Sequence, residues 1–459
     1  MPPTRETITK REGSWDNEKG QASAVEPFAD VCSGDAVNRR PCPSIAAALL
    51  MSTLTSRKNA RDTVFHDVPL PDIAEIKVAI VHDWLPVRAG AERVLEEIIN
   101  VFPQADLFAM IDLIPEDQRG FLRHKKVVTS FVQSLPAWLR SRYRAFLPLM
   151  ACAVEQFDLA KYDLIISSSY AVAKGVLTGP TQLHISYCHS PMRYAWDLQH
   201  QYLRESKIDS SYKGLLARIV LHYLRMWDGI NHQRVDHFIT NSRFVQKRIE
   251  KFYRRESTVV YPPVDSDRFA LSKKKGNYYL TASRLVPYKM IGMIVEAFAK
   301  MPDCELRVVG NGPEFKNIFK RATPNVKMLN YQPDDVLVRE MQGAKAFIFA
   351  AEEDFGILPV EAQACGTPVL AYGRGGARET VIPGQTGLFF HEQTPAALCA
   401  CVREFESGRH QFDPQVIRTH AERFSSHIFR NRFRSEVSNR WQEFVEREDA
   451  TMEPIRTTL

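Results

Sequence analysis

The apolar positions of this chain fall into two series of short buried runs, each run followed by a helical pattern. Residues 76–82 read IKVAIVH, an almost unbroken apolar run of strand length. After a loop at 83–90, residues 91–102 put Val94, Leu95, Ile98, Ile99 and Phe102 on one helical face. Further strand-length runs stand at 164–168, 183–187, 237–240 and 259–261, and a helix is predicted over 242–252 with Asn241 or Ser242 as its cap. Residues 265–276 read as a linker. A second alternation follows, with strands at 277–281, 305–309, 326–329, 346–349, 368–371 and 388–390. Helices fall at 290–301 and 359–365, and 412–448 is a helical end. Such alternation predicts an α/β protein with two open, mainly parallel sheets covered by helices.

Residues 1–70 differ from the rest. They are polar, turn-rich and poorly periodic apart from a short apolar segment at 45–54, which predicts a disordered extension. The 459 residues, 44% hydrophobic and 25% charged, fit a soluble globular protein of two or three domains. The net charge of +6 permits contact with anionic lipid head groups or phosphorylated substrates. No lysine- and arginine-dense helix, paired-cysteine finger or aromatic-basic array points to nucleic acid. The eight cysteines are irregularly spaced without a CxxC, which predicts free thiols in a reducing compartment. No run of about eighteen uncharged apolar residues predicts a membrane span. The opening MPPTRETITKREGSWDNEKG lacks a signal core, so a cytoplasmic chain is expected. Residues 123–148, rich in basic and aromatic groups, read two ways: as an amphipathic surface for a membrane or lipid-linked substrate, or as a solvated helix with its apolar side packed inward.

The candidate chemistry concentrates in the second series. In EEDFGILPVEAQACG at 352–366, Glu353 lies in a loop that leads into a helix carrying Glu361, with Phe355, Gly356 and Ile357 between them. Carboxylates accept hydrogen bonds from hydroxyls, and the first helical turn offers unpaired amides to an anion. By composition alone the same stretch also reads as a solvated acidic loop. Arg284 and Lys289, in TASRLVPYKM, follow the first strand of the second series, the edge at which open α/β sheets bind ligands. Two such cations can neutralise a diphosphate and favour a state in which negative charge grows on a leaving phosphate. Gly310 and Gly312, in GNGP, form a turn after a strand without the dinucleotide fingerprint, and GRGGARE at 373–379 forms a second. In the first series, Gly90 precedes a helix, and His189 follows a strand within SYCHSPMRYAWD, with Asp83 and Arg193 as candidate neighbours. Either a sugar-facing donor or a partly buried histidine bonded to backbone fits His189. Asp265 and Asp267 have DxD spacing but stand at the linker, and no metal site is expected.

Taken in order, the stretches SRL with YK, GNGP, EEDFGILPVEAQACGTPV and GRGGARETV resemble the retaining glycosyltransferases of family 4. HDW with AGAE, SYCHSPMRYAWD and FITNSRFVQKRI upstream resemble that family too, and the likeness covers residues 76–391. The resemblance implies a GT-B fold, two facing Rossmann-like αβα domains with the active site in the cleft between them. Residues 76–264 would form the acceptor-side domain, 272–425 the nucleotide-sugar-binding domain, and 426–448 a helix packing across both. Glu353 matches the first glutamate of the E-x7-E motif, expected on the donor sugar, and Glu361 the second, expected near the ribose. Arg284 and Lys289 match the diphosphate-binding pair, His189 the histidine near the reacting sugar, and Gly90 a glycine of the N-domain loop. That loop often carries two adjacent glycines, where this chain has Ala89 and Gly90.

The implied reaction retains anomeric configuration through a same-face, ion-pair-like route and needs no cofactor or metal. EEDFGI and SYCHSPMRYAWD look most like bacterial mannosyltransferases that use GDP-mannose to build surface polysaccharide on polyprenol-linked acceptors. A UDP-sugar donor, and a non-catalytic sugar-nucleotide-binding protein, are the alternatives. Peripheral contact with an anionic membrane on the cytoplasmic face would suit a lipid-linked acceptor.

Overall fold

The fold is that of a computed structural model, which describes residues 76–140, 143–205 and 211–456. The extension over 1–70, its apolar segment at 45–54, and Cys32 and Cys42 lie outside the described residues. The first lobe is a seven-stranded parallel sheet of β1 (Val78–His82), β2 (Asp106–Ala109), β3 (Val127–Thr129), β4 (Leu164–Ser169), β5 (Leu183–Cys188), β6 (His237–Thr240) and β7 (Ser257–Val259). Its strand order is β3-β2-β1-β4-β5-β6-β7. The second lobe is a six-stranded parallel sheet of β8 (Tyr278–Ala282), β9 (Glu305–Val309), β10 (Val326–Asn330), β11 (Ala346–Phe349), β12 (Val369–Tyr372) and β13 (Gly387–Phe390). Its order is β10-β9-β8-β11-β12-β13.

Helices cover both faces of each sheet, so the central strands have no wet side. Every residue of β1, β4 and β5 is buried, which is why these segments read as apolar runs rather than as alternation. Val78 and Ile80 join the core on one face of the first sheet, and Ala79 and Val81 join the core on the other. In each sheet the order reverses beside the first strand, between β1 and β4 and between β8 and β11. A parallel sheet opens a crevice beyond its strand ends at such a point. Into the first crevice run the ends of β1 and β4, with His82 opposite Ser168 in register.

Two departures from the sequence pattern bear on function. The strand expected at 259–261 is Ser257–Val259, which frees Tyr261 to reach the second lobe. The basic stretch 123–148 is no continuous helix. It breaks into β3 and several short turns, with Tyr143 buried against Trp84 and Trp138 exposed.

The last two described helices pass from the second lobe to the first. Helix Pro414–Glu422 lies on the second, where Arg418 donates to the carbonyls of Ala364 at 2.8 Å and Ser266 at 3.0 Å. Helix Ser426–Arg456 then places Phe429, Phe433 and Val437 in the first lobe's core. Arg430 pairs with Glu97 at 2.7 Å, and Glu436 accepts from Thr258 at 2.9 Å and meets His237 at 2.9 Å. Those contacts hold the Glu436 carboxyl at about 2, chiefly through the hydrogen bond to His237. The six cysteines among the described residues are free thiols, and no described helix is long and apolar enough to cross a membrane.

Candidate active site

Because every strand is parallel, the loops after the strand ends collect on one edge of each sheet, and contacts between these loops join the lobes. Arg93, on the first helix (Gly90–Val101), pairs with Glu361, on the helix Ile357–Ala364 of the second lobe. Arg193 and Arg248 of the first lobe both reach Asp354 of the second, Arg193 at 3.5 Å. Arg248 also holds Asp197 at 2.8 Å. Glu379 of the second lobe accepts from the backbone N–H of Arg243 at 2.9 Å and of Phe244 at 3.0 Å. That carboxylate therefore caps the helix Arg243–Tyr253 from across the crevice, and it takes a further bond from the Tyr261 hydroxyl at 3.0 Å.

The second lobe's wall is charged. Lys289, which ends a short turn after β8, pairs with Glu353 in the loop after β11. Burial alone would lower the Lys289 ammonium, but the Glu353 carboxylate overrides it and raises the group above its ordinary value. Burial raises the Asp354 carboxyl, opposed by the Arg193 and Arg248 guanidiniums. Arg284 is exposed, and its guanidinium has no hydrogen-bond or ion-pair partner among the described residues. Gly310 and Gly312 explain its placement. A Cβ on Gly310 would sit 1.8 Å from the Ser283 carbonyl oxygen, and one on Gly312 would sit 2.4 Å from that of Leu285. These glycines let the loop after β9 lie directly on the loop that carries Arg284. Gly356 caps the helix Ile357–Ala364 at φ +84°. The Phe355 ring is buried against Tyr261 and Phe424, so only its backbone is left to face a ligand.

Around His189 the first lobe's wall is closely bonded. Ser168 Oγ bridges His82 Nδ1 at 3.0 Å and His189 Nε2 at 2.9 Å. His82 Nε2 lies 3.7 Å from Glu92, whose carboxylate also takes the Ala89 N–H at 2.9 Å. Burial, and then the neighbouring His82, push the His189 imidazole down to about 3, so the ring is uncharged at neutral pH. A neutral ring engaged at Nε2 keeps Nδ1 for one further hydrogen bond. Asp83, weighed as a neighbour of the site, is a structural anchor. Its two oxygens accept the backbone N–H groups of Tyr170, Ala171, Val172 and Ala173 at 2.6, 2.9, 2.7 and 2.7 Å. At Gly90 the lobes touch: a Cβ there would meet Ile357 Cδ1 at 3.2 Å. Any side chain at that position would press on the first turn of the helix that bears Glu361.

The expected residues thus fall on two facing walls, Gly90 and His189 on one, and Arg284, Lys289, Glu353 and Glu361 on the other. Sequence reasoning passed over Arg93, Arg248, Asp354 and the His82–Ser168 bridge. Of these only Arg93 carried a signal, standing three residues after Gly90 within AGAER. Asp265 and Asp267 sit at a short turn beside Arg418, apart from these loops, and no described cluster of three or more histidine, cysteine or acidic residues could hold a metal ion.

A family model of glycosyl transferases group 1 matches residues 264–422, and one of glycosyltransferase family 4 matches residues 88–268. With the two facing αβα lobes, these matches define a protein of GT-B fold related to both glycosyltransferase families. Among curated relatives, the chain is 35% identical over 147 residues to the GDP-mannose-dependent monoacylated alpha-(1-6)-phosphatidylinositol monomannoside mannosyltransferase of Corynebacterium glutamicum. That match covers 28% of this chain and 38% of the relative. It is 30% identical over 177 residues to the GDP-mannose-dependent alpha-(1-6)-phosphatidylinositol monomannoside mannosyltransferase of Mycolicibacterium smegmatis, covering 32% of this chain and 46% of that one. The chain therefore spans less than half the length of these relatives. Among solved structures, Anabaena HepE in complex with UDP superposes with a TM-score of 0.57 at 17% identity, covering 79% of this chain and all of that one. The apo lipopolysaccharide outer core galactosyltransferase WaaB gives 0.54 at 16% identity, covering 80% and 100%. At these identities the likeness is one of fold.

Proposed function

We propose that the chain is a retaining glycosyltransferase whose donor is a nucleotide sugar bound in the crevice between the lobes. One observation carries the reading: Arg284, Lys289 and Glu353 gather beyond β8 and β11, at the switch point of the second sheet. Arg284 and Lys289 would bind the diphosphate, helped by the first-turn amides behind Gly356. Glu353 would accept from donor-sugar hydroxyls, and Glu361 from the ribose. When the bond between the sugar's anomeric carbon and the phosphate oxygen breaks, the electron pair stays on the diphosphate. The two cations stabilise that charge more than they stabilise the bound donor. The acceptor hydroxyl attacks the same face of the sugar, and its proton passes to a departing phosphate oxygen. His189, neutral and held by Ser168, would orient the sugar as a hydrogen-bond partner rather than as an acid. The two cations supply the charge compensation that a bound metal would otherwise give.

The donor's base has two supports. Two matches over about a third of the chain are to phosphatidylinositol monomannoside mannosyltransferases named for GDP-mannose, which favours transfer of mannose; the glycan or polyprenol-linked acceptor rests on the sequence resemblance. One fold neighbour matched over about four-fifths of the chain, Anabaena HepE, was solved with UDP and with UDP-glucose, which favours a UDP-sugar on the wider footing. The test is turnover of a panel of nucleotide sugars against lipid-linked and free glycan acceptors, with the product's anomeric configuration read by NMR. Transfer with retention from one base series supports the reading and names the donor. Inversion, or tight donor binding without transfer or hydrolysis, overturns it.

A further inference from the structure

The longest helix of the first lobe, Tyr212–Asn231, is apolar on two opposite sides. One side buries Leu224 and packs Val220, Leu221 and Trp227 against the first lobe's core, with Asp228 and Asn231 buried among them. On the other, Tyr212, Leu215, Ile219, Tyr223, Met226 and Ile230 recur every three or four residues and are all exposed, Leu215, Ile219 and Ile230 at 62%, 59% and 64%. Single exposed apolar residues need no explanation, but an unbroken stripe about 27 Å long does. Leu149 on the adjoining helix Leu147–Glu155 and Leu177 beside its far end are also exposed.

We infer that this stripe lies on the surface of an anionic lipid bilayer, with the helix parallel to the membrane plane. Charge decides between occupants. The helix has one acidic side chain, Asp228, and it is fully buried, 2.6 Å from Lys174. Lys213 and Arg218 border the stripe, and Tyr212 and Tyr223 bring hydroxyls to an apolar strip, the makeup of an interfacial helix. No described helix is long and apolar enough to cross a membrane, so a bilayer would be met along this helix's side. Its buried side is fixed to the crevice. Asp228 accepts from Trp196 Nε1 at 2.7 Å and from the Tyr253 hydroxyl at 2.8 Å, and Asp197, beside Trp196, holds Arg248 at 2.8 Å. A bilayer against the stripe would thus meet the first lobe in a fixed orientation to His189, as a lipid-borne acceptor requires.

The test is sedimentation of the full chain with phosphatidylcholine vesicles, with and without phosphatidylglycerol. Binding is expected to the anionic vesicles and to weaken with salt. The combined Leu215→Gln, Ile219→Gln, Ile230→Gln variant should bind about 100-fold more weakly or worse. Should that variant misfold, Ile219→Cys carrying an environment-sensitive dye gives a second readout, a blue shift on adding anionic vesicles. Undiminished vesicle binding by the triple variant, or an unshifted dye, overturns the inference. So does sedimentation equilibrium showing that a second copy covers the stripe in a dimer that the variant dissolves. None of these readouts needs turnover, so this face and the donor site stand or fall separately.

Discussion

The two walls of the crevice differ around the residues expected to meet the donor, His189 on one and Arg284 with Lys289 on the other. On the first lobe, Ser168 ties His82 Nδ1 to His189 Nε2 and leaves His189 Nδ1 for one further bond, and four backbone amides enclose Asp83. On the second, Lys289 is matched by one carboxylate, and the Arg284 guanidinium has no partner among the described residues. A neutral ring held on one side can offer a ligand a single directed hydrogen bond. An ammonium paired with one carboxylate, beside an exposed guanidinium, can exchange that arrangement for a phosphate. On the proposed reading, Arg284 and Lys289 would give the second lobe recognition of the diphosphate, and His189 would give the first lobe hydrogen-bond direction.

That contrast can be broken most directly at Arg284. Arg284→Ala should cut kcat/KM by about 100-fold or more while leaving stability within about 0.5 kcal/mol, because the side chain is exposed. A melt that drops with the activity, or unchanged kinetics, would remove Arg284 from the diphosphate site. Asp83→Ala should do the reverse. Stranding four amides should cost about 3 kcal/mol of stability, read by urea denaturation. A near-wild-type midpoint would show that those amides find other partners. A smaller effect is expected where the last helix docks. The Glu436 carboxyl, held at about 2 against an ordinary 4.5, contributes stability that is complete above about pH 4.5 and drains away as pH falls toward 2. Glu436→Gln should therefore lower stability by about 1 kcal/mol at pH 7 and by almost nothing near pH 2. A loss independent of pH would assign the contact to packing instead.

Much of the fold could be read because its central strands are buried on both faces, so β1, β4, β8 and β11 stand out as largely apolar runs. β2 and β3 escaped notice. DLFA is four residues long, and VVT is a partly exposed edge strand. Helix Tyr212–Asn231 escaped for the opposite reason, since two apolar faces blur the period that marks a helix. Within the site, Arg284, Lys289, Glu353 and Glu361 stood in recognisable local stretches. Their cross-lobe partners did not, because the pairings of Arg93 with Glu361, Arg193 with Asp354 and Arg248 with Asp354 span 268, 161 and 106 residues. Glycine spacing flagged Gly310 and Gly312, but their use, making room for the Arg284 loop, emerges only from the fold.

The central claim is that the second lobe's cations grip a diphosphate at the switch point of its sheet. A crystal structure of the chain with a bound nucleoside diphosphate measures this directly. The account predicts phosphate oxygens within about 4 Å of both the Arg284 guanidinium and the Lys289 ammonium, with Lys289 drawn from Glu353. A nucleotide bound outside the crevice, or held there with both cations turned away, would contradict it.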